Sequence, residues 1–204
     1  MLMKVLVVTG GIGSGKSEVC RMLAANGFPL QYDADRRAKE LYSERPALLD
    51  DIEKSLGISC RDEEGRFIPA ALAERIFSDS SALAKVEELL FPVMMDDFMA
   101  FASRAEEDEY VVFESATILE KPFFNGFGDV ILLVDAPLTV RMRRAAARDG
   151  VSTDRVMARM RNQKLMNALS EGAVDPRVDH ILWNEGSRED LEAGLKKILK
   201  HLNH

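Results

Sequence analysis

The stretch GGIGSGKS (residues 10–17) directly follows the apolar run VLVV (residues 5–8). It matches the phosphate-loop pattern G-x-x-x-x-G-K-[ST] in the context that this pattern requires, between a strand and a helix. Its glycines let the backbone turn tightly and direct several N–H groups inward, where they and the helix N-terminus hold phosphate oxygens. The pattern predicts that Lys16 brings positive charge to the β- and γ-phosphates and that the Ser17 hydroxyl binds Mg²⁺.

Outward from this loop, short apolar runs alternate with helical patterns. The runs predict further strands near residues 28–32, 110–113, 130–134 and 180–183. Unbroken apolar strands joined by helices indicate the α/β class, with a five-stranded parallel sheet covered on both faces. We assign residues 1–45, 105–137 and 165–204 to this nucleotide-binding core.

The alternation of strand and helix stops between residues 46 and 104, which predicts a helical insertion. Apolar residues recur at helical spacing near residues 81–104, so a long helix is expected there. Pro92 lies inside this helix and is expected to kink it or to divide it in two.

The net charge of −7 argues against a general nucleic-acid or membrane-surface binder. Residues 141–164 reverse this balance, because seven Arg and one Lys face only Asp149 and Asp154, a local charge of +6. This basic segment predicts a site for an anion, and a solvated pair of charged helices is the alternative.

The two cysteines, Cys20 and Cys60, show no metal-ligand spacing and fit a reducing compartment. The apolar run before the loop is too short for a signal peptide or a membrane span. We therefore expect a cytoplasmic protein.

Polar residues gather where the predicted strands end, at the edge where open parallel sheets bind ligands. A carboxylate directly after strand two can accept a proton from a hydroxyl that attacks a phosphate. The alternative is that such a carboxylate only caps the next helix. The polar residues at the predicted strand ends are Asp33, Asp35, Glu114, Asp135 and Asn184, of which Asp33 and Asp35 follow strand two.

Arg141, Arg144 and Arg148 are spaced i, i+3 and i+7, so they share one face of a helix. The spacing indicates a lid, residues 138–164, that closes over phosphates and brings guanidinium groups to the oxygens where charge accumulates.

The sequence TGGIGSGKS at residues 9–17, followed by Asp33-Ala34-Asp35, resembles the dephospho-coenzyme A kinases, a family of P-loop kinases. The segment from Asp135 to Gln163 resembles the lid of that family, and the segment from Val178 to Asn184 resembles its final strand. The resemblance spans nearly the whole chain.

This resemblance implies ATP-dependent phosphorylation of the ribose 3′-hydroxyl of dephospho-coenzyme A, the last step of coenzyme A synthesis. It implies a general base at Asp33, γ-phosphate contacts from Lys16 and Arg144, and Mg²⁺ on Ser17. Residues 46–104 are then the substrate-binding domain. The implied ATP-binding residues are Gly11, Ile12, Gly13, Ser14, Gly15, Lys16, Ser17, Arg148 and Asn184.

On the substrate side the chain departs from the family pattern. Pro69 stands where an Arg is typical, and Phe91 stands where a His is common. Arg66 or Arg75 is a candidate for the missing positive charge.

Two other functions remain open on the residues alone. One is a P-loop kinase that acts on a nucleoside or nucleotide, and the other is a nucleotide-binding partner without catalysis. A GTP-dependent switch is disfavoured because the guanine-reading motif N-K-x-D is absent from the sequence.

Overall fold

The structure is a computed structural model that describes residues 3–161, 163 and 174–202. The chain divides into two units. The first comprises the described residues of Met1–Tyr32 and Ala105–His204, and the second is Asp33–Arg104.

The described residues form one five-stranded sheet with the order β2-β3-β1-β4-β5. Strand β1 pairs in parallel with β3 and with β4, and β4 pairs in parallel with β5. Because β1 is central and buried on both faces, its sequence is an unbroken apolar run. The predicted α/β fold is confirmed. The strands are β1 (Lys4–Thr9), β2 (Gln31–Asp33), β3 (Tyr110–Glu114), β4 (Val130–Asp135) and β5 (His180–Trp183).

Strand β2 begins three residues later than the predicted strand at 28–32. Pro29 lacks an N–H group and cannot donate to a neighbouring strand, so regular pairing starts after it. The first contact with β3 is the bond from the Val112 N–H to the Leu30 carbonyl, at 2.8 Å. The strand ends at Asp33, one residue after the predicted end.

Eight α-helices lie within the described residues, and two short 3₁₀ turns follow β3. A capping box opens the last helix, because Ser187 and Asp190 each accept the other's N–H. The helices are α1 (Lys16–Ala25), α2 (Ala34–Glu44), α3 (Pro46–Leu56), α4 (Pro69–Ser78), α5 (Ser80–Ala102), α6 (Leu138–Asp149), α7 (Thr153–Met160) and α8 (Arg188–Leu202).

Helices α1 and α8 cover one face of the sheet. Alternate residues of the strands point to this face, as Leu6 and Val8 do in β1 and Leu132 and Val134 do in β4. The resulting core fixes the start of α1 against the end of β1, and the phosphate loop lies between them.

The second unit consists of α2 to α5 and a connection that holds one antiparallel bridge, Arg61 to Phe67. It begins at Asp33 rather than at the predicted residue 46, because α2 packs on α3 and α5. Arg37 of α2 joins Asp97 of α5 through two bonds of 3.0 and 2.8 Å.

Helix α5 continues through Pro92, so of the two expected outcomes, a kink or a division, the division does not occur. Pro92 lies on the exposed side of the helix. Water can therefore satisfy the carbonyl one turn earlier, which lost its helical donor. The buried stripe of α5 is uninterrupted and comprises Ala82, Val86, Leu90, Met94, Phe98 and Ala102.

None of the described helices is both long enough and apolar enough to cross a membrane.

Candidate active site

The phosphate loop, residues 10–15, leads from the end of β1 to the start of α1. Gly15 caps α1 with φ at 102°, a left-handed conformation that favours glycine. Its carbonyl accepts the N–H groups of Glu18 and Val19 at 3.0 and 3.2 Å. The helix therefore begins at Lys16, as the sequence pattern requires.

Two glycines of the loop leave space for side chains from other elements. A Cβ at Gly11 would lie 1.7 Å from Arg141 Nη2, and a Cβ at Gly15 would lie 2.0 Å from Asn184 Nδ2. The tight turn explains only some of the glycines in the loop. Glycine is also needed at Gly11 and Gly15 because side chains from α6 and from the end of β5 lie close to the loop backbone.

Three carbonyls of the loop are each held by a side chain. Lys16 Nζ donates to the Gly10 carbonyl at 3.0 Å. Arg141 Nε donates to the Ile12 carbonyl at 3.1 Å, and Asn184 Nδ2 donates to the Ser14 carbonyl at 2.8 Å.

These bonds determine where the N–H groups of the loop point. In a trans peptide the N–H is directed opposite to the preceding carbonyl, and none of the described peptide bonds is cis. The N–H groups of Gly11, Gly13 and Gly15 therefore point away from the three tethering side chains. Among the described residues, none of these three N–H groups donates to a backbone acceptor. Several N–H groups of one loop that point the same way form a binding site for an anion.

Asn184 connects the loop to α6. Its carbonyl and its Oδ1 accept Arg144 Nη1 and Nη2 at 2.8 and 3.3 Å. The same side chain donates to the Ser14 carbonyl. The structure thus brings together the predicted residues of the loop, Arg144 and Asn184.

Arg141 does not act with Arg144 and Arg148 as one row, as the spacing predicted. It is only 1% exposed, and its Nη1 lies 3.5 Å from Asp135 Oδ1. Burial lowers the pKa of Arg141 and raises the pKa of Asp135. Its Nη2 has no hydrogen-bond partner within the described part of the chain. The spacing gave the shared face of the helix but not the depth to which this side chain is buried.

Arg148 is exposed at the end of α6 and pairs with its neighbour Asp149 at 2.7 Å. Arg159 of α7 binds the same carboxylate at 2.5 Å. These bonds lower the pKa of Asp149 to about 2. Contact of Arg148 with a nucleotide remains a prediction, and it requires Arg148 to exchange this partner for phosphate.

Asp33 caps α2, because its Oδ1 accepts the Arg36 N–H at 2.9 Å. The capping role considered from the sequence is therefore present at Asp33 rather than at Asp35. One carboxylate oxygen is used in this way, and the other, Oδ2, lies 3.7 Å from Arg36 Nε in an exposed ion pair. The role of Asp33 as general base remains a prediction.

Ser17 lies in the first turn of α1 and is exposed. The described residues contain no cluster of three or more His, Cys, Asp or Glu side chains that could hold a metal ion.

Gln163 is a residue of the site that sequence reasoning did not select. It is buried after α7, and its Oε1 accepts the Ile12 N–H at 2.9 Å. A lone glutamine has no distinctive spacing, so only its place at the end of the basic segment could have indicated it.

On the substrate side, both candidate arginines are paired with carboxylates. Arg66 binds Asp62 and Glu64 at 2.7 and 2.9 Å, and Arg75 binds Asp79 at 2.6 Å. These pairs offset the positive charge that the sequence suggested for the substrate.

Comparison with known proteins gives a consistent result. The family model described as dephospho-CoA kinase matches residues 4–190. The chain belongs to the dephospho-CoA kinase family. A dephospho-CoA kinase of Porphyromonas gingivalis is 38% identical over 171 residues, which cover 84% of this chain and 83% of the relative. One of Chlorobaculum tepidum is 34% identical over 200 residues, covering 96% and 93%.

A crystal structure of a Thermus thermophilus protein shares the fold. It is 33% identical, it superimposes with a TM-score of 0.81, and the alignment covers 99% of each chain. Membership of the family agrees with the resemblance seen in the sequence and with a P-loop kinase core.

Proposed function

We propose that this protein transfers the γ-phosphoryl group of ATP to the ribose 3′-hydroxyl of dephospho-coenzyme A, giving coenzyme A and ADP. The observation that carries the proposal is membership of the dephospho-CoA kinase family across residues 4–190, together with a complete phosphate loop. Because the reaction consumes ATP, we infer that it takes place in the cytoplasm.

The first part of the proposed mechanism is stabilisation of the transferred group. Loop N–H groups and Lys16 hold the β- and γ-phosphates, and Lys16 exchanges the Gly10 carbonyl for phosphate oxygen. Arg144 sits on the Asn184 carbonyl, a neutral acceptor, so its charge is not cancelled. Preorganised donors of this kind act most strongly where charge develops during transfer.

The second part is activation of the acceptor. Asp33 takes the proton of the 3′-hydroxyl while the oxygen of that hydroxyl bonds to the γ-phosphorus. The bond from that phosphorus to the β–γ bridging oxygen breaks, and ADP leaves with the electron pair. Asp33 ends β2, and strand ends are where open parallel sheets place such groups.

Ser17 would hold Mg²⁺ through its hydroxyl. The ion, when bound, neutralises charge on the β- and γ-phosphates.

The helices from residue 46 to residue 104 bind the acceptor, and the segment 138–164 covers the phosphates. The assignment of residues 46–104 to acceptor binding is supported by the break in the alternation of strands and helices along this part of the chain. The assignment of the segment 138–164 to the phosphates is supported by Arg144, which donates to the Asn184 carbonyl, and by Arg148 on the same helix.

A coupled assay of ADP release tests the proposal, with dephospho-coenzyme A offered beside adenosine, AMP and shikimate. We expect turnover with dephospho-coenzyme A that exceeds turnover with every other acceptor. Preferred turnover with adenosine or AMP would instead identify a kinase for nucleosides or nucleotides. ATP binding without ADP release on any of the four acceptors would contradict the proposal.

A further inference from the structure

Ile12, in the middle of the phosphate loop, is held at three points by the segment that contains α6 and α7. Its carbonyl accepts Arg141 Nε, and its N–H donates to Gln163 Oε1. Its side chain packs on the cluster formed by Ala145, Val156 and Met160. The loop and these two helices are therefore joined at one residue.

Arg141 is the charged member of this arrangement. Its carbonyl lies 2.2 Å from the position that a Cβ of Gly13 would take. The bond from Nε to Ile12 is 3.1 Å, whereas the contact of Nη1 with Asp135 is 3.5 Å. The contact of Arg141 with the loop carbonyl is thus shorter than its contact with Asp135.

A guanidinium at this place is unfavourable for stability. Nη2 is buried without a partner in the described part of the chain, and the charge is almost wholly removed from water. An apolar side chain of similar volume would avoid both costs. Stability alone therefore does not explain the presence of Arg141, and its contact with the loop is the remaining explanation.

We propose that Arg141 is a positioning residue for ATP: by holding the Ile12 carbonyl, it fixes the Ile12–Gly13 peptide so that the Gly13 N–H is directed to phosphate. The trans geometry of that peptide links the two groups, because the N–H lies opposite to the tethered carbonyl. The inference rests on the use of ATP in the proposed function but not on the identity of the acceptor.

The test compares three variants by titration calorimetry with ATP and by thermal unfolding. Arg141→Met removes the bond to Ile12 and leaves Asp135 buried without its cation. The double variant Asp135→Asn with Arg141→Met removes both charges. Arg143→Met is the matched control, because Arg143 is exposed on the same helix.

We expect Arg141→Met to raise the Kd for ATP about tenfold or more, the effect of losing one hydrogen bond to a charged group. The double variant should recover thermal stability relative to Arg141→Met and still bind ATP weakly. Arg143→Met should match the wild type. Amide hydrogen exchange in the loop should be faster in both Arg141 variants.

The double variant decides between the two roles and also replaces Arg141→Met if the latter does not fold. A Kd for ATP within twofold of wild type in the double variant would mean that Arg141 only neutralises Asp135, and the inference would be overturned. Wild-type protein that binds ATP but does not phosphorylate dephospho-coenzyme A would defeat the proposed function and leave this inference standing.

Discussion

Arginine side chains in the two units bond to different kinds of acceptor. Beside the phosphate loop, Arg144 donates to the main-chain carbonyl of Asn184, and Arg141 donates to that of Ile12 but also contacts the Asp135 carboxylate at 3.5 Å. In the helical unit the arginines pair with carboxylates instead, as Arg37, Arg61, Arg66 and Arg75 do.

The difference concerns the charge that remains for a ligand. A carboxylate partner cancels the charge of an arginine, whereas a carbonyl partner leaves the charge in place. Arg148, Arg177 and Arg188 of the first unit also pair with acids, and Arg141 contacts Asp135, so the contrast rests on Arg144. Arg144 therefore keeps a positive charge that an anion can bind, while the charges of the arginines named in the helical unit are offset by carboxylates of that unit.

The largest expected effect is at the loop itself. Lys16→Ala should abolish turnover, because the preorganised cation at the transferred group is lost. Steady-state kinetics with dephospho-coenzyme A measures this change. Lys197→Ala, which removes an exposed lysine of α8, is the control. Near-normal kcat in Lys16→Ala would contradict the assignment of the site.

Asp33→Asn should lower kcat by about 10²–10⁴-fold, the usual effect of losing a general base. Asparagine caps helices as well as aspartate does, so α2 should keep its stability. Calorimetry should give an unchanged Kd for ATP. An equal loss of ATP affinity would indicate a structural role for Asp33.

Arg144→Ala and Arg66→Ala compare the two classes of arginine directly. Arg144→Ala should reduce kcat about 10²-fold and raise the KM for ATP less, because its charge acts mainly in the transition state. Arg66→Ala should stay within about twofold on both parameters, as expected for an exposed ion pair. A rise only in the KM for ATP would mean that Arg144 binds the nucleotide and does not stabilise the transition state. A large rise in the KM for dephospho-coenzyme A in Arg66→Ala would break the comparison.

Much of the fold follows from local pattern, and the exceptions have identifiable causes. The strands were predictable because central parallel strands read as unbroken apolar runs, and the loop because glycine, lysine and serine recur at fixed spacing. The two exceptions involve proline. Strand β2 begins only after Pro29, later than predicted, and α5 is not divided at Pro92.

The site was predicted less completely than the fold. The spacing of arginines on α6 gave their shared face, but the burial of Arg141 depends on the glycines of a loop more than 120 residues earlier in the chain. The Asn184 contacts were likewise invisible, although its position at a strand end indicated the correct edge of the sheet.

The smallest expected effect concerns stability rather than activity. Asp97→Asn should destabilise the protein by about 1–2 kcal/mol, because it weakens a half-buried, doubly bonded pair with Arg37. Chemical denaturation measures this loss, and kcat should remain unchanged. A fall in kcat with unaltered stability would mean that the carboxylate-paired arginines also serve catalysis.

The central claim is that the loop N–H groups, Lys16 and Arg144 hold the γ-phosphate while Asp33 accepts the proton of the acceptor. A crystal structure with dephospho-coenzyme A and a non-hydrolysable ATP analogue tests it most directly. We predict phosphate oxygens within about 3 Å of Lys16 Nζ and of the Gly13 N–H, and the 3′-hydroxyl within about 3 Å of an Asp33 carboxylate oxygen. A complex in which both substrates are bound and the Asp33 carboxylate lies away from the 3′-hydroxyl would contradict the account.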